Sequence, residues 1–228
     1  MSARDNILQR LRAAPAGQAV PAPDVPGFYA AIRAAAPANN RAVRIERFCE
    51  KMAFWRGEVV KVTHDNWPEK VRQLCAAKGI ASLLYGAQTA HGAALVASGI
   101  AGLKAYDRPI DEWKPDLFEN TDAGITSTRG GIVETGTLIV WPDTHEPRLL
   151  SLVPPIHFAL LDADRLYDTL FEAMTDQGWS GANGNAMPTN ALLISGPSKT
   201  ADIQVTLAYG AHGPKELIVL LLVNEEEL

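Results

Sequence analysis

Residue types able to hold or transform a small anion gather in the second half of the chain. Ser195-Gly196-Pro197-Ser198-Lys199-Thr200 sets hydroxyls and an ammonium directly behind the apolar run Ala191-Leu192-Leu193-Ile194. That run reads as a short buried strand, and Gly196-Pro197 stops it. Ala201 to Tyr209 then reads as a helix closed by Gly210. A strand that turns into a helix in this way presents unpaired N–H groups and the positive end of a helix dipole, which together make an anion site. The alternative is that Ser198 or Thr200 does no more than cap the helix. Ser198 stands where a Walker A loop needs a glycine before Lys199-Thr200, and Leu192 where it needs its first glycine, so no nucleoside triphosphate loop is implied. A second tight turn, Ala211-His212-Gly213-Pro214, precedes Glu216 to Val223, an apolar run of the kind found in strands buried on both faces.

Glu134 is the other residue of chemical interest. It falls in a β-like, small and apolar stretch, Gly131-Ile132-Val133-Glu134, and Thr135-Gly136-Thr137-Leu138-Ile139-Val140-Trp141 continues the strand after a glycine that marks a bulge or a close approach. A carboxylate in such surroundings is expected to be paired, hydrogen-bonded or functionally poised. Arg148 is the next cation along the chain, and a structural Glu134–Arg148 pair is the plainer alternative.

Elements that would position these groups follow from the hydrophobic pattern. Arg41 to Arg56 repeats Ile45, Phe48, Cys49, Met52 and Trp55 on one side, an amphipathic helix with a core-facing stripe. Glu58 to Thr63, Ile80 to Tyr85 and Leu103 to Tyr106 read as strands, separated by helices from Trp67-Pro68 to Gly79 and from Thr89 to Ser98. This alternation predicts parallel βαβ units. His157 to Leu161 is a further strand and Asp164 to Met174 a helix, followed by a Gly/Asn-rich loop over 178–188. At the amino terminus Ser2-Ala3-Arg4-Asp5 has capping-box spacing before a helix carrying Ile7, Leu8 and Leu11. The Pro- and Ala-rich segment to Gly27 reads as an extended linker, giving an appendage over 1–27 and a main domain over 28–228.

Composition narrows the partners. A hydrophobic fraction of 47% in 228 residues supports a packed core. A net charge of -5, with no lysine/arginine block, argues against nucleic acid. No apolar run approaches the ~20 residues that span a bilayer, and the charged amino terminus is unlike a signal peptide, so a cytoplasmic location is expected. Cys49 and Cys75 cannot supply the four thiolates of an iron–sulfur cluster, and no cofactor or metal is expected on this chain.

Three segments together resemble the LUD domain family: Ile132-Val133-Glu134-Thr135-Gly136-Thr137-Leu138, Arg148-Leu149-Leu150-Ser151-Leu152-Val153-Pro154-Pro155-Ile156-His157, and Ser195 to Ile203 with Gly210-Ala211-His212-Gly213-Pro214. Order and spacing match over roughly residues 40–228, with Gln204 departing from the glutamate usual in the family. The resemblance implies an α/β fold with an open, largely parallel sheet and flanking helices, like that of ribose-5-phosphate isomerases and CoA transferases, and a ligand crevice at the carboxyl edge of the sheet. It also implies a part in oxidising L-lactate to pyruvate beside companion proteins that carry the iron–sulfur clusters. On that reading Ser198, Thr200 and backbone N–H groups would bind the carboxylate with Arg148 as charge partner, and Glu134 or His212 would be the base. Thr135, Gly136, Thr137, Ser195, Gly196, Lys199, Asp202 and Gly213 complete the expected binding set. The alternatives are a free-standing transferase or isomerase acting on a phosphorylated or CoA-linked substrate through Glu134, or a non-catalytic scaffold that docks through its amino-terminal arm.

Overall fold

A computed structural model describes residues 2–14, 21–35, 40–179, 187–200, 208–210 and 212–228. The chain divides into two compact units, 1–38 and 39–228. In the first, α1 (Ala3–Ala13) begins at a capping box in which Ser2 Oγ accepts from the Asp5 N–H and Asp5 accepts from the Ser2 N–H. The second helix, α2 (Val25–Ala35), corrects the linker expectation at its carboxyl end. Pro26 falls in the first helical turn, where its missing N–H costs no hydrogen bond, and Asp24 Oδ1 accepts from the Gly27 N–H at 2.9 Å.

The second unit opens with α3 (Arg41–Phe54), β1 (Glu58–Val62), α4 (Trp67–Lys78), β2 (Leu83–Gly86), α5 (Ala90–Ala97) and β3 (Leu103–Tyr106), the alternation its pattern predicts. Then come α6 (Lys114–Glu119), β4 (Ala123–Ser127), β5 (Gly130–Ile132), β6 (Thr137–Val140), α7 (Leu149–Leu152), β7 (Ile156–Asp162), β8 (Leu166–Tyr167) and α8 (Leu170–Asp176). The chain finishes with β9 (Leu192–Ile194), β10 (Lys199–Thr200), β11 (Ala208–Tyr209) and β12 (Glu216–Leu222). Six strands form an all-parallel sheet in the order β1-β12-β7-β4-β2-β3, flanked by helices. Its interior strand β12 is apolar from Leu217 to Leu222 because both faces are covered. Leu217, Val219 and Leu221 pack with Ile45, Phe48 and Met52 of α3, while Ile218 and Leu220 pack with Val71 and Cys75 of α4 and Leu95 of α5.

A second sheet, β8-β5-β6-β9, was not foreseen as separate. Residues 131–141 form a hairpin rather than one bulged strand: β5 and β6 pair antiparallel, with Val133 to Gly136 as the turn. β9 pairs antiparallel with β6 as an edge strand that leaves Leu193 exposed, so it is not the buried strand its apolar residues suggest. The helix expected from Asp164 starts later, because Leu166 and Tyr167 are spent on parallel pairing with β5 and Thr169 supplies the cap. The helix expected over 201–209 is also overturned at its described end. Lys199↔Tyr209 and Thr200↔Ala208 pair as an antiparallel hairpin, which places Ala208 and Tyr209 in a strand, while 201–207 lie outside the described residues.

Gly136 shows why the β5–β6 turn sits where it does. Its φ is +63°, and an added Cβ would lie 2.7 Å from Lys51 Cβ and 2.8 Å from Met52 N. The glycine therefore serves close approach to the α3 backbone. Gly136→Ala is expected to destabilise the protein by about 2 kcal/mol or more, from left-handed strain plus a clash with backbone that cannot swing aside. An unchanged urea midpoint would show that the turn relaxes without cost.

Candidate functional site

The expected residues that converge do so around a cavity of about 200 Å³ at the amino ends of β7 and β12. His157 and Leu217, each the second residue of its strand and paired in register, line it. The carboxyl-edge position expected for these turns is thus corrected. Two of the loops that wall the cavity lead directly into β7 and β12, and the third, between β9 and β10, is bonded to Pro214 just before β12, so they gather at the strand starts. Ser151 and Leu152 at the end of α7 form one wall, Ser195 to Ser198 another, and His212 to Pro214 the third.

Backbone bonds stitch these walls together. The Ser198 N–H donates to the Pro214 carbonyl at 2.8 Å, the Gly210 N–H donates to the Ser198 carbonyl at 2.9 Å, and the Lys215 N–H donates to the Pro155 carbonyl at 2.7 Å. Gly213 lies close under Ser198, whose Cβ would be 3.2 Å from a Cβ added there. Ser195 Oγ is 2.7 Å from Thr137 Oγ1, which is 2.7 Å from Thr135 Oγ1, so a chain of hydroxyls runs from the cavity wall to the hairpin turn. Gly196, at φ +133°, admits the Trp55 carbonyl, which an added Cβ would meet at 2.7 Å. Lys199 Nζ lies 4.4 Å from the centroid of the Trp55 ring, a cation–π contact, and Trp55 Nε1 donates to the Thr135 carbonyl at 3.1 Å.

Other expected residues stand apart. Glu134 is exposed at the hairpin turn, because the strand it was expected to occupy ends at Ile132, and among the described residues no ion pair joins it to Arg148. Arg148 is itself exposed at the start of α7, where its carbonyl accepts from Ser151 Oγ at 3.1 Å. Thr200 belongs to β10 rather than to a helix amino terminus. Asp202 lies outside the described residues. His212 lines the cavity from an exposed bend.

Sequence reasoning passed over Ser151 and His157, 1% exposed each. A polar ring opening an otherwise apolar strand, His157-Phe158-Ala159-Leu160-Leu161, was the available signal. Complete burial pushes the His157 pKa down to about 4, against an opposing pull from the Glu146 charge, so the ring is neutral at pH 7. A neutral imidazole has one donor and one acceptor nitrogen. Nε2 is 2.9 Å from Thr126 Oγ1, whereas Nδ1 is buried with no hydrogen-bond partner among the described residues. Leaving such a nitrogen unpaired costs about 1–3 kcal/mol. When the Thr126 hydroxyl donates to Nε2, Nδ1 carries the proton and is a donor in the cavity wall.

Among the described residues, no group of three or more His, Cys, Asp or Glu is placed to hold a metal, and no helix is long and apolar enough to cross a membrane. Cys49 and Cys75 are free thiols; burial raises both, Cys75 to about 11, which leaves them poor nucleophiles.

The LUD domain family model matches residues 45–222, which leaves the first unit outside the match. An uncharacterized protein of Neisseria meningitidis serogroup B is 40% identical over 229 residues, spanning 99% of this chain and 95% of its own length. Lactate utilization protein C of Halalkalibacterium halodurans is 29% identical over 112 residues, about half of either chain (49% of each). Its namesake in Macrococcus caseolyticus is 27% identical over 175 residues, 75% of this chain and 74% of that one. Among solved structures, the crystal structure of a DUF162 family protein from Deinococcus radiodurans superposes with a TM-score of 0.58 at 19% identity, covering 82% of this chain and all of the other, a likeness of fold.

Proposed function

The chain belongs to the LUD domain family, and from that premise we propose that it serves lactate utilization by binding a small carboxylate in the cavity between α7, the Ser195–Ser198 turn and the His212–Pro214 turn. It does so in the cytoplasm, beside companion proteins that carry the iron–sulfur clusters. The observation that carries this reading is the buried Nδ1 of His157, without a hydrogen-bond partner among the described residues, in a wall that also presents Ser195, Ser198 and His212. Neutral hydroxyl and imidazole donors suit a carboxylate that must leave again. His212, at the rim, is the proposed base for a hydroxyl proton on the bound acid. Size supports a small ligand as well: about 200 Å³ falls below the roughly 300–1,000 Å³ of ordinary ligand clefts, too small for a coenzyme A ester.

Calorimetric titration of the purified chain with L-lactate tests the reading. Saturable binding is expected, weakened about tenfold, or ~1.4 kcal/mol, by His157→Gln. Glutamine can offer its amide oxygen to the Thr126 hydroxyl but has no group at the Nδ1 position, so the Thr126 bond is kept while the proposed donor is lost. Equal affinity in the two proteins, or no binding by the wild type, would reject the carboxylate site.

A further inference from the structure

Open parallel sheets bind ligands beyond the carboxyl ends of their strands, where successive connections leave in opposite directions. Here the chain passes from β2 outward to β3 and from β4 inward to β7, so the reversal falls between β2 and β4, which are neighbours. Their last residues, Gly86 and Ser127, flank the carboxylate of Glu146. The Ser127 N–H donates to Oε1 at 2.8 Å and Ser127 Oγ to Oε2, while His91 Nε2 lies 3.3 Å from Oε1. Gly86 is required for this approach, since a Cβ there would meet the His145 carbonyl oxygen at 2.5 Å and Glu146 Cγ at 3.1 Å. Burial pushes the Glu146 carboxyl up, but the bonds from His91 and Ser127 outweigh it and hold the group below its ordinary value. The crevice therefore already stabilises one negative charge.

Directly beside it lies a cavity of about 340 Å³ lined by Gln88, Tyr106, Asp107, Arg108, Thr144 and His145. That volume is within the range of ordinary ligand clefts. The amino end of α5 follows Gln88, with Thr89 as its cap. Arg108 rests over the Trp113 ring at 5.5 Å; its charge helps to lower the Asp116 carboxyl, but it makes no salt bridge among the described residues. A guanidinium so held, with its fork unused, matches the geometry of an oxyanion.

We propose that this crevice is a second ligand site, distinct from the His157 cavity, which takes the phosphate or carboxylate group of a small molecule with Arg108 as its bidentate partner and His145, Gln88 and Tyr106 as neighbouring polar contacts. The site does not depend on the lactate reading. Asp107, the one acid in the lining, disfavours a second anionic group on its side of the ligand.

Calorimetric titration of the full chain at low ionic strength with inorganic phosphate, and separately with acetate, tests it. Saturable binding is expected for one of the two, with a component at least tenfold weaker in Arg108→Gln. A phosphate component lost in that variant identifies a phosphate ester as the ligand, and an acetate component lost there identifies a carboxylic acid. Arg72→Gln on α4 makes the same charge change elsewhere; an equal loss there would reduce the effect to net charge and overturn the site, as would the absence of saturable binding by either probe. Should Arg108→Gln melt early through loss of its Trp113 contact, His145→Gln, on an exposed loop, carries the same expectation of weaker binding.

Discussion

Phe48→Ala is expected to destabilise the protein by about 3–5 kcal/mol, a large part of the roughly 5–15 kcal/mol that holds a domain folded. Phe48 is fully buried in the middle of α3 and belongs to the cluster that joins Leu217, Val219 and Leu221 of the parallel sheet to Leu138 and Val140 of the smaller one. Its ring also lies over β5, where a Cβ added at Gly131 would come 3.0 Å from Phe48 Cε2. The truncation leaves a void at the meeting of two sheets and a helix, with backbone on several sides that cannot collapse into it. α3 is fixed at its amino end too, where Arg44 Nε and Nη2 donate to Asp168 Oδ1 and Oδ2 at 3.1 and 3.0 Å, so the helix cannot shift to fill the space. Urea unfolding should show a lower midpoint at unchanged slope. Phe48→Leu, which restores most of the volume, should recover more than half of the loss. A cost below about 1 kcal/mol for the alanine variant would mean that α3 is not the seam between the sheets.

That seam was half legible in the sequence. The 3.6-residue stripe Ile45, Phe48, Met52 announced a core-facing helix, and the unbroken run at Leu217 to Leu222 announced a strand buried on both faces, because each pattern answers to one local geometry. The second sheet was hidden for the converse reason. Its strands are two to four residues long, too short for alternation to distinguish them from turn or helix, and Leu166-Tyr167 has the same composition in either state. Pairing with β5, a distant partner, decides it.

The site was legible in part for a related reason. Glycine and hydroxyl residues at Ser195, Gly196, Ser198 and Gly213 pointed to tight turns, and those turns do meet. Which edge of the parallel sheet they meet at depends on which strands belong to it: β9, which the Ser195 turn follows, pairs in the smaller sheet, and no local pattern encodes that. Glu134 was misjudged because its apolar neighbours suggested a strand interior, whereas Gly136 at positive φ makes its segment a turn that lifts the carboxylate into solvent. His157 went unremarked because a lone histidine in an apolar strand is ordinary until its second nitrogen is found without a partner among the described residues.

Acid should expose that histidine. The ring is held neutral to about pH 4 in the folded protein but takes up a proton near pH 6.5 once unfolded. Above pH 6.5 both states are neutral and the ring adds no pH dependence. Between pH 6.5 and about 4 the unfolded chain binds the extra proton, so stability falls with pH, by roughly 3 kcal/mol across the window. Glu146 acts mainly below pH 4.5, since its carboxyl is depressed from that ordinary value and its stabilisation is lost as pH falls from there through the lower folded value. Urea midpoints measured from pH 7 to pH 4.5 should therefore decline more steeply for the wild type than for His157→Gln, which has nothing to titrate. A bound carboxylate facing Nδ1 would raise the folded pKa of His157, so saturating lactate should flatten the wild-type decline and bind more tightly as pH falls. If the decline is identical in the two proteins, the ring is reached by solvent in the folded state. If it differs but lactate leaves it unaltered, the histidine is a buried strut and the carboxylate does not sit beside it.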